Sequence, residues 1–345
     1  MGANVTFDLR LLREVSLVWQ RLLAEAPGTT LYHRQSWIEL IVRAYHLPIW
    51  LATLRRNETV VSGCLLARSK NPVAPRFVSL PFSDNCPILA LDSEAADALL
   101  DALIAHPSFG TACEIRGVSA VPPWHTVECF VSWRLNFDRP LSCIERGLDT
   151  NFRRNLRRAT QQTIKIDRGN GTDYVKRFYA MQLQGRRRLG LPPQPWRFFK
   201  LAQEIFAPRG DLDVWIARQG GEDLAAAVFL RDGDCIHYKW GARGDHGAQS
   251  SANHLLFWSA IEDFAGRASA LDLGRTDVRN DGLMRFKKAL GATASPLPYS
   301  YYPRVPAQAS SEVLTGTRRL VARIWRKLPI SATEMLGQAI YGLLA

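Results

Sequence analysis

Between residues 213 and 243 the chain alternates apolar runs with short glycine turns, and this pattern leaves little choice of local fold. Asp213–Gln219 (DVWIARQ), Asp223–Asp232 (DLAAAVFLRD) and Cys235–Arg243 (CIHYKWGAR) are of strand length and apolar. They are separated at Gly220–Gly221 and Asp232–Gly233. Glycine enters the left-handed region that a tight hairpin demands, so these pairs predict hairpin turns. Three strands joined in this way form an antiparallel meander. A glycine- and polar-rich loop follows, and then a helix with Leu255, Leu256, Trp258, Ile261 and Phe264 at helical spacing.

The next stretch, Ala270 to Pro303, concentrates chemistry. An apolar run is expected to end as a strand at Asp272. A turn at Gly274, a polar loop from Arg275 to Gly282 and a short amphipathic helix from Leu283 to Leu290 should follow. Gly291 stands where a helix C-terminus favours glycine. A Pro-interrupted aromatic strand with Leu297, Tyr299, Tyr301 and Tyr302 closes the unit. Asp272 is thus one carboxylate at a strand end, with Arg275, Arg285, Lys287 and Lys288 in reach. Loops held at strand ends by rigid elements commonly carry function. A solvated basic helix beside a structural aspartate is the alternative these residues leave open.

At 345 residues the chain favours two domains over a single core. Lys and Arg total 44 against 32 Asp and Glu, a formal charge of +12. Such a surface favours anionic partners: phosphate, nucleic acid, anionic lipid or a diphosphate-linked sugar. The cysteines, Cys64, Cys86, Cys113, Cys129, Cys143 and Cys235, are scattered with no CxxC pair, which speaks against a zinc site. The N-terminus lacks an apolar core of signal-peptide length, and no window approaches the ~20 apolar residues of a membrane span. A reducing cytoplasm is the expected compartment.

From the N-terminus, Phe7 to Leu23 is predicted as an amphipathic helix, on Leu9, Leu12, Val15, Trp19, Leu22 and Leu23. A second helix (residues 30–46) precedes strands at residues 49–56, 59–69 and 76–83, with a hairpin turn at Arg55–Glu58. A helix capped near Asp92 or Ser93 and two more strands complete an α+β sandwich of about 145 residues.

Asp149 or Thr150 can cap the next helix, which carries Arg153, Arg154, Arg157 and Arg158. Like charges four apart each cost roughly 0.2–0.5 kcal/mol, so two such pairs make poor sense for helix stability. An anionic ligand explains them, and arginine meets phosphate bidentately; a basic solvated face is the plainer alternative. A further helix ends in Arg186, Arg187 and Arg188, which suits the helix dipole and equally a polyanion. His237 and His254 show no ligand-spaced partners and read as structural. Beyond Pro303 a linker leads to a basic amphipathic tail, with Arg318, Arg319, Arg323, Arg326 and Lys327 against Leu320, Ile324, Trp325 and Leu328. It could lie on an anionic membrane surface or pack on the body.

Three of these segments resemble one family. DLGRT followed by GLMRFKKALGA resembles the closing segment of the FemAB-like branch of the GNAT acyltransferases, with its pattern (D)-F-G-R-S/T … G-x-x-R-F-K-x-x-W/L-G-A. FRRNLRRA resembles the R-R-N-I/L-R-K/R-A helix that opens the second domain there. IWRKLPISATEMLG resembles the tail of FemAB-related proteins found with exopolysaccharide and exosortase (PEP-CTERM) systems. The resemblance implies tandem GNAT-like domains in an α+β fold: residues 1–145, then 146–305 as a FemAB/BioF2-like domain, then a linker and tail at 306–345. It implies acyl transfer, by an aminoacyl-tRNA donor, onto an amine or hydroxyl of an envelope precursor such as a UDP- or lipid-diphosphate-linked sugar of peptidoglycan or exopolysaccharide. It also brings Asp84, in the loop LPFSDN, to the acceptor side; an aspartate capping the turn before Pro87 is the alternative.

The site residues expected on this basis are Asp272 as acceptor-orienting group or base, and Lys287 and Arg285 at donor phosphate or oxyanion. Arg153, Arg154 and Arg157 hold an anionic substrate, and Tyr238, Lys239, Arg275 and Asp84 contribute to binding. No tightly bound cofactor and no metal is expected. Acetyl-CoA is the alternative donor, and a non-catalytic envelope scaffold the alternative role. The GNAT pyrophosphate loop has the spacing Q/R-x-x-G-x-G/A; Arg243-Gly244-Asp245-His246-Gly247-Ala248 misses it by one residue and adds a negative charge. That departure suits an aminoacyl-tRNA donor. The expected location is cytoplasmic, with peripheral contact at the inner membrane face through the tail.

Overall fold

The structure, a computed structural model, describes residues 5–12, 17–72, 75–107, 112–245, 247, 250–306 and 316–344. Of the residues discussed above, Val15, His246, Ala248, part of the linker and the side chains of Arg318, Arg319 and Leu320 lie outside what is described.

The chain begins with β1 (Val5–Leu11), α1 (Leu17–Glu25), α2 (Gln35–Tyr45), β2 (Ile49–Arg56), β3 (Thr59–Arg68), β4 (Phe77–Val78) and β5 (Leu89–Ala90). α3 (Ser93–Ala105), β6 (Cys113–Arg116) and β7 (His125–Val127) follow. The second half runs β8 (Phe130–Asn136), α4 (Leu141–Arg146), α5 (Thr150–Gln161), β9 (Lys165–Gly169), α6 (Thr172–Leu189) and α7 (Trp196–Phe206). Then come β10 (Leu212–Gln219), β11 (Glu222–Asp232), β12 (Cys235–Arg243), α8 (Ala252–Phe264), β13 (Ala270–Asp277) and α9 (Asp281–Ala289). β14 (Thr293–Pro296), β15 (Tyr299–Tyr302), α10 (Gly316–Lys327) and α11 (Ile330–Ile340) close the described chain.

Two compact units emerge, each drawn from more than one segment. The first comprises residues 1–130, 296–312 and 342–345, and the second residues 131–295 and 313–341. The expected boundary at 145/146 falls at the end of α4, inside the second unit.

In the first unit the strands run β1-β2-β3-β4-β6-β15-β7, with β5 also on β3. β15 lies between β6 and β7 and is antiparallel to both. The hairpin at Arg55–Glu58 forms with Asn57 and Glu58 at φ 47° and 69°, as its two-residue turn requires. Asp92 caps α3 by accepting from the Ala95 amide at 2.7 Å. The expected helix from Phe7 to Leu23 is corrected: Val5–Leu11 is a strand in register with β2, Phe7 opposite Leu54 and Leu9 opposite Ala52. Phe7, Leu9 and Leu11 also fit a period of two, and pairing with β2 decides between the two readings. The strand expected over residues 76–83 is only Phe77–Val78, because Leu80 and Phe82 take left-handed φ angles of 59° and 63°.

The second unit holds a sheet ordered β14-β8-β13-β12-β11-β10-β9. The meander β10–β12 forms as expected, and glycines 220, 221 and 233 adopt positive φ. Both faces of this sheet are covered. Trp215, Ala227 and Phe229 pack into one core with Leu256, Phe257 and Phe264 of α8. Val214, Ile216 and Val228, at alternate positions, are equally buried on the other side, where α6 crosses the sheet. That explains the unbroken apolar run Ala225–Leu230. Phe229 is 1% exposed and meets Trp215, Phe257 and Phe264 in edge-to-face contacts; filling this centre contributes on the order of 2–3 kcal/mol per ring.

One expectation about the key stretch is corrected. β13 does not end at Asp272 but continues to Asp277. Gly274, at φ 71°, kinks the strand without stopping it, and Lys287 supplies hydrogen bonds to its carbonyls.

Candidate active site

β12 and β13 run parallel only from Cys235 opposite Ala270 to His237 opposite Asp272, and then part. The last rung carries an ion pair, with His237 Nδ1 3.3 Å from Asp272 Oδ2. Burial disfavours charge on His237, but its hydrogen bonds to Asp272 and then to Cys235 outweigh it and lift its pKa to about 9. The imidazole is therefore protonated at neutral pH. Asp272 also accepts from the Gly274 amide at 2.6 Å. Its carboxylate is engaged by a cation and an amide, an arrangement that fixes the parting point.

Past that rung, Lys287 takes over. Its ammonium donates to the carbonyls of Gly274 and Arg275, each at 3.1 Å, and the residue is 3% exposed. α9 aims it inward because Asn280 caps the helix, its Oδ1 accepting from the Leu283 amide at 3.1 Å. Lys287 thus serves the backbone of β13. Arg275 gives its carbonyl to Lys287 and is half-buried, while Arg285 lies on the exposed side of α9 with Nε donating to the Asp281 carbonyl at 3.2 Å.

The other strand is shaped by a bulge. Phe229 pairs with Tyr238 and Val228 with Trp240, so Lys239 is the extra residue of β12. An extra residue shifts the alternation of side chains. Tyr238 accordingly packs on Phe257 of α8, whereas Trp240 packs on Phe198 and Phe199 of α7. At this bulge a cavity of about 510 Å³ opens between β12 and α6. β12 lines it from Tyr238 to Arg243, and α6 contributes Gln182, Gly185, Arg186, Arg188 and Leu189. Gln194 and Asn253 complete the described wall. Four of these residues are cations (Arg186, Arg188, Lys239, Arg243), and among the described lining residues there is no carboxylate.

Burial pushes the Tyr238 phenol up to about 12, so it is a neutral donor. A Cβ added at Gly241 would fall on the Tyr238 hydroxyl, so Gly241 is the residue that makes room for it. Gln182 is 6% exposed and gives its amide to Gln194 Oε1 at 3.2 Å, while its own Oε1 has no partner.

The structure brings Tyr238 and Lys239 to this cavity, and does not bring Asp272, Lys287, Arg285 or Arg275 to its described wall. Arg153, Arg154 and Arg157 stand exposed along α5, which buries only Phe152 and Ala159 and is capped by Asp149 accepting from the Asn151 amide at 2.7 Å. Asp84 belongs to the first unit; it accepts from the Tyr32 hydroxyl at 2.7 Å, and its carbonyl accepts from the Tyr299 hydroxyl at 2.6 Å. Sequence reasoning missed Gln182, Gln194 and the role of Arg186. Their signal was the spacing of Gln182, Arg186 and Leu189 on one side of α6. It also missed the partner of His237, which lies 35 residues away in an unread parallel pairing.

In the described part of the loop after β12, glycine amides bond back to the chain. The Gly244 amide donates to the Leu224 carbonyl at 3.0 Å and the Gly247 amide to the Gly244 carbonyl at 3.3 Å. A Cβ on either glycine would strike β11 backbone, at Asp223 and Leu224 respectively, so their glycine character serves packing. Asp245 pairs with Arg188. At the start of α8 the Ala252 amide is taken by Ser250 Oγ at 3.3 Å. Among the described residues, these donors turn to the chain itself. The same residues contain no cluster able to hold a metal ion.

Residues 147–288 match the family described as the acetyltransferase (GNAT) domain, so the protein is an acyltransferase carrying such a domain. Among solved structures, FemX aligns at a TM-score of 0.63 and 15% identity, over 85% of this chain and 96% of its own. A tandem GNAT protein from the clavulanic acid biosynthesis pathway aligns at 0.55 and 11%, over 88% of this chain and 100% of its own. The C-terminal domain of a putative lysylphosphatidylglycerol synthetase from Agrobacterium fabrum aligns at 0.54 and 11%, over 85% and 94%. These similarities establish a tandem GNAT fold. No curated protein matches the chain by sequence.

Proposed function

We propose that the protein transfers an aminoacyl group from aminoacyl-tRNA to an amine or hydroxyl of a cell-envelope precursor, with the chemistry at the cavity between α6 and β12. The observation that carries this reading is the cationic cavity without a carboxylate among its described lining residues, beside a loop in which the Gly244, Gly247 and Ala252 amides are already engaged. Such a site suits a polyanion held by arginines better than a pyrophosphate held by backbone amides. The likeness to FemX, a peptidoglycan aminoacyltransferase of the FemAB family, points the same way.

In this reaction the acceptor nitrogen or oxygen attacks the ester carbonyl, and the carbonyl oxygen becomes an oxyanion. The ester C–O bond then breaks, and the proton lost by the acceptor ends on the departing ribose oxygen. The neutral Tyr238 hydroxyl and the Lys239 ammonium are placed to stabilise the oxyanion. The His237–Asp272 pair positions β12 at the root of the bulge. Arg153, Arg154 and Arg157 form an exposed cationic strip for an anionic substrate, either the tRNA or a diphosphate-linked sugar. A charged-tRNA donor places the reaction in the cytoplasm.

Equilibrium binding of acetyl-CoA and of a charged tRNA pool, each at two salt concentrations, tests the reading. Saturable tRNA binding that weakens with salt, without coenzyme A binding, is expected, because counterion release makes such affinity fall with salt. A second reading, acetyl-CoA-dependent acetylation of an exopolysaccharide precursor, is favoured by the acetyltransferase description that matches residues 147–288. Micromolar coenzyme A binding would put it first.

A further inference from the structure

The C-terminal helices are attached to the second unit yet leave apolar faces uncovered. α10 buries Ala322 and Trp325, at 2% and 7% exposure. Its Val321 and Ile324 remain 53% and 56% exposed, and Leu328 extends their stripe at helical spacing. The third side of α10 is cationic, with Arg323, Arg326 and Lys327 all exposed. α11 buries Thr333 and Gly337 and turns the opposite side outward. That outward side reads Ala332, Met335, Leu336 and Ala339, the spacing of a continuous helical stripe, with Met335 66% and Leu336 37% exposed.

We infer that α10 and α11 form a docking element for an anionic phospholipid surface. Apolar residues exposed on both helices, flanked by cations, are what an interfacial helix presents to a bilayer. The charge complementarity selects the partner, since juxtamembrane cations are attracted to anionic lipid headgroups. Among the described residues no helix is long and apolar enough to cross a membrane, so the element lies on the surface and does not span it.

The same element is joined to the wall of the cavity. Ala322 lies so close to Gly190 that a Cβ there would come within 2.6 Å of the Ala322 carbonyl oxygen. Gly337 abuts Pro193 in the same way, at 2.7 Å, and the Tyr341 ring lies 6.0 Å from the Arg186 guanidinium. Arg186, Leu189 and Gln194 line the cavity, so the lipid-facing helices and the cavity wall form one packed body. The inference rests on the tail alone and stands whichever acyl donor is used.

The test is co-sedimentation of the full-length protein with vesicles of phosphatidylcholine, with and without 30 mol% phosphatidylglycerol, as about one vesicle composition used for anionic surfaces. The wild type should partition onto the anionic vesicles and release as salt rises. Met335→Glu with Leu336→Glu should lower partitioning at least tenfold at both salt concentrations. Arg323→Glu with Arg326→Glu should remove the salt-sensitive part. All four positions are exposed, so unchanged thermal unfolding confirms the fold of each variant. Absence of wild-type binding, or binding unmoved by both variants, overturns the inference. So does a wild-type dimer that Met335→Glu converts to monomer, because the face would then be covered by a second copy.

Discussion

His237 and Asp272 face each other at 3.3 Å on the last rung that β12 and β13 share. One residue further, the strands part and the backbone must find other partners. The pair is therefore a clasp at the root of the split, and its charge state is tied to the integrity of the sheet.

This clasp makes stability pH-dependent. The folded pKa of His237, about 9, lies above its ordinary value of 6.5. Its contribution is fully present below 6.5 and is lost as pH rises through about 9, amounting to a few kcal/mol at most. Thermal unfolding of the wild type should weaken between pH 7 and 10, whereas Asp272→Asn should start lower and change little over that window. Parallel curves for the two proteins would refute the clasp.

An opposite dependence is expected in the first unit. His33 is buried against the Pro87 carbonyl, and burial lowers its pKa to about 4. A depressed histidine contributes above 6.5 and loses that contribution as pH falls towards 4. His33→Gln should flatten the acid limb of unfolding, followed by near-UV circular dichroism.

Lys287→Met should act on the fold before it acts on the chemistry. It leaves two part-buried carbonyls, Gly274 and Arg275, without this donor, at a cost of about 1–3 kcal/mol. Urea unfolding should shift accordingly. A variant of wild-type stability with abolished turnover would instead show that the ammonium takes part in the reaction.

Lys239→Ala and Tyr238→Phe should do the reverse. Lys239 is the extra residue of the bulge and lines the cavity, so removing it should lower kcat about 10- to 1000-fold with the fold retained. Turnover assays with the donor selected by the binding experiment check this. An unaffected kcat would move the chemistry away from the cavity.

On α5, Arg153→Gln with Arg157→Gln removes an unfavourable i,i+4 pair on an exposed surface. Stability should hold or rise by a few tenths of a kcal/mol. The salt slope of tRNA or diphosphate-sugar binding should fall by about one to two charges. Unchanged binding would make the strip a solvated face.

The parts legible in the sequence were those written locally. Gly220, Gly221 and Gly233 announce their turns, and Asp92 and Asp149 announce their helices, because each acts on neighbours within a few residues. Phe7–Leu11 was ambiguous because five residues satisfy both helical and strand periods. Lys287 reads as one cation among four on an amphipathic helix; its burial depends on β13 continuing past Gly274, which a glycine conceals. The bulge at Lys239 and the Gln182–Gln194 contact arise only once β12 meets β11 and α6, so no local pattern carries them.

β15 has a consequence for how the molecule is made. It fills the place between β6 and β7, yet it is synthesised after the bulk of the second unit. As the ribosome releases the chain, residues 1–130 emerge with that slot in their sheet still vacant. The second unit can close its own sheet before Tyr299–Tyr302 arrive, so the later-made sheet is the first able to close. An N-terminal fragment ending near residue 130 lacks the strand that joins β6 to β7, and a soluble version of that unit would need residues 296–302 grafted back between them.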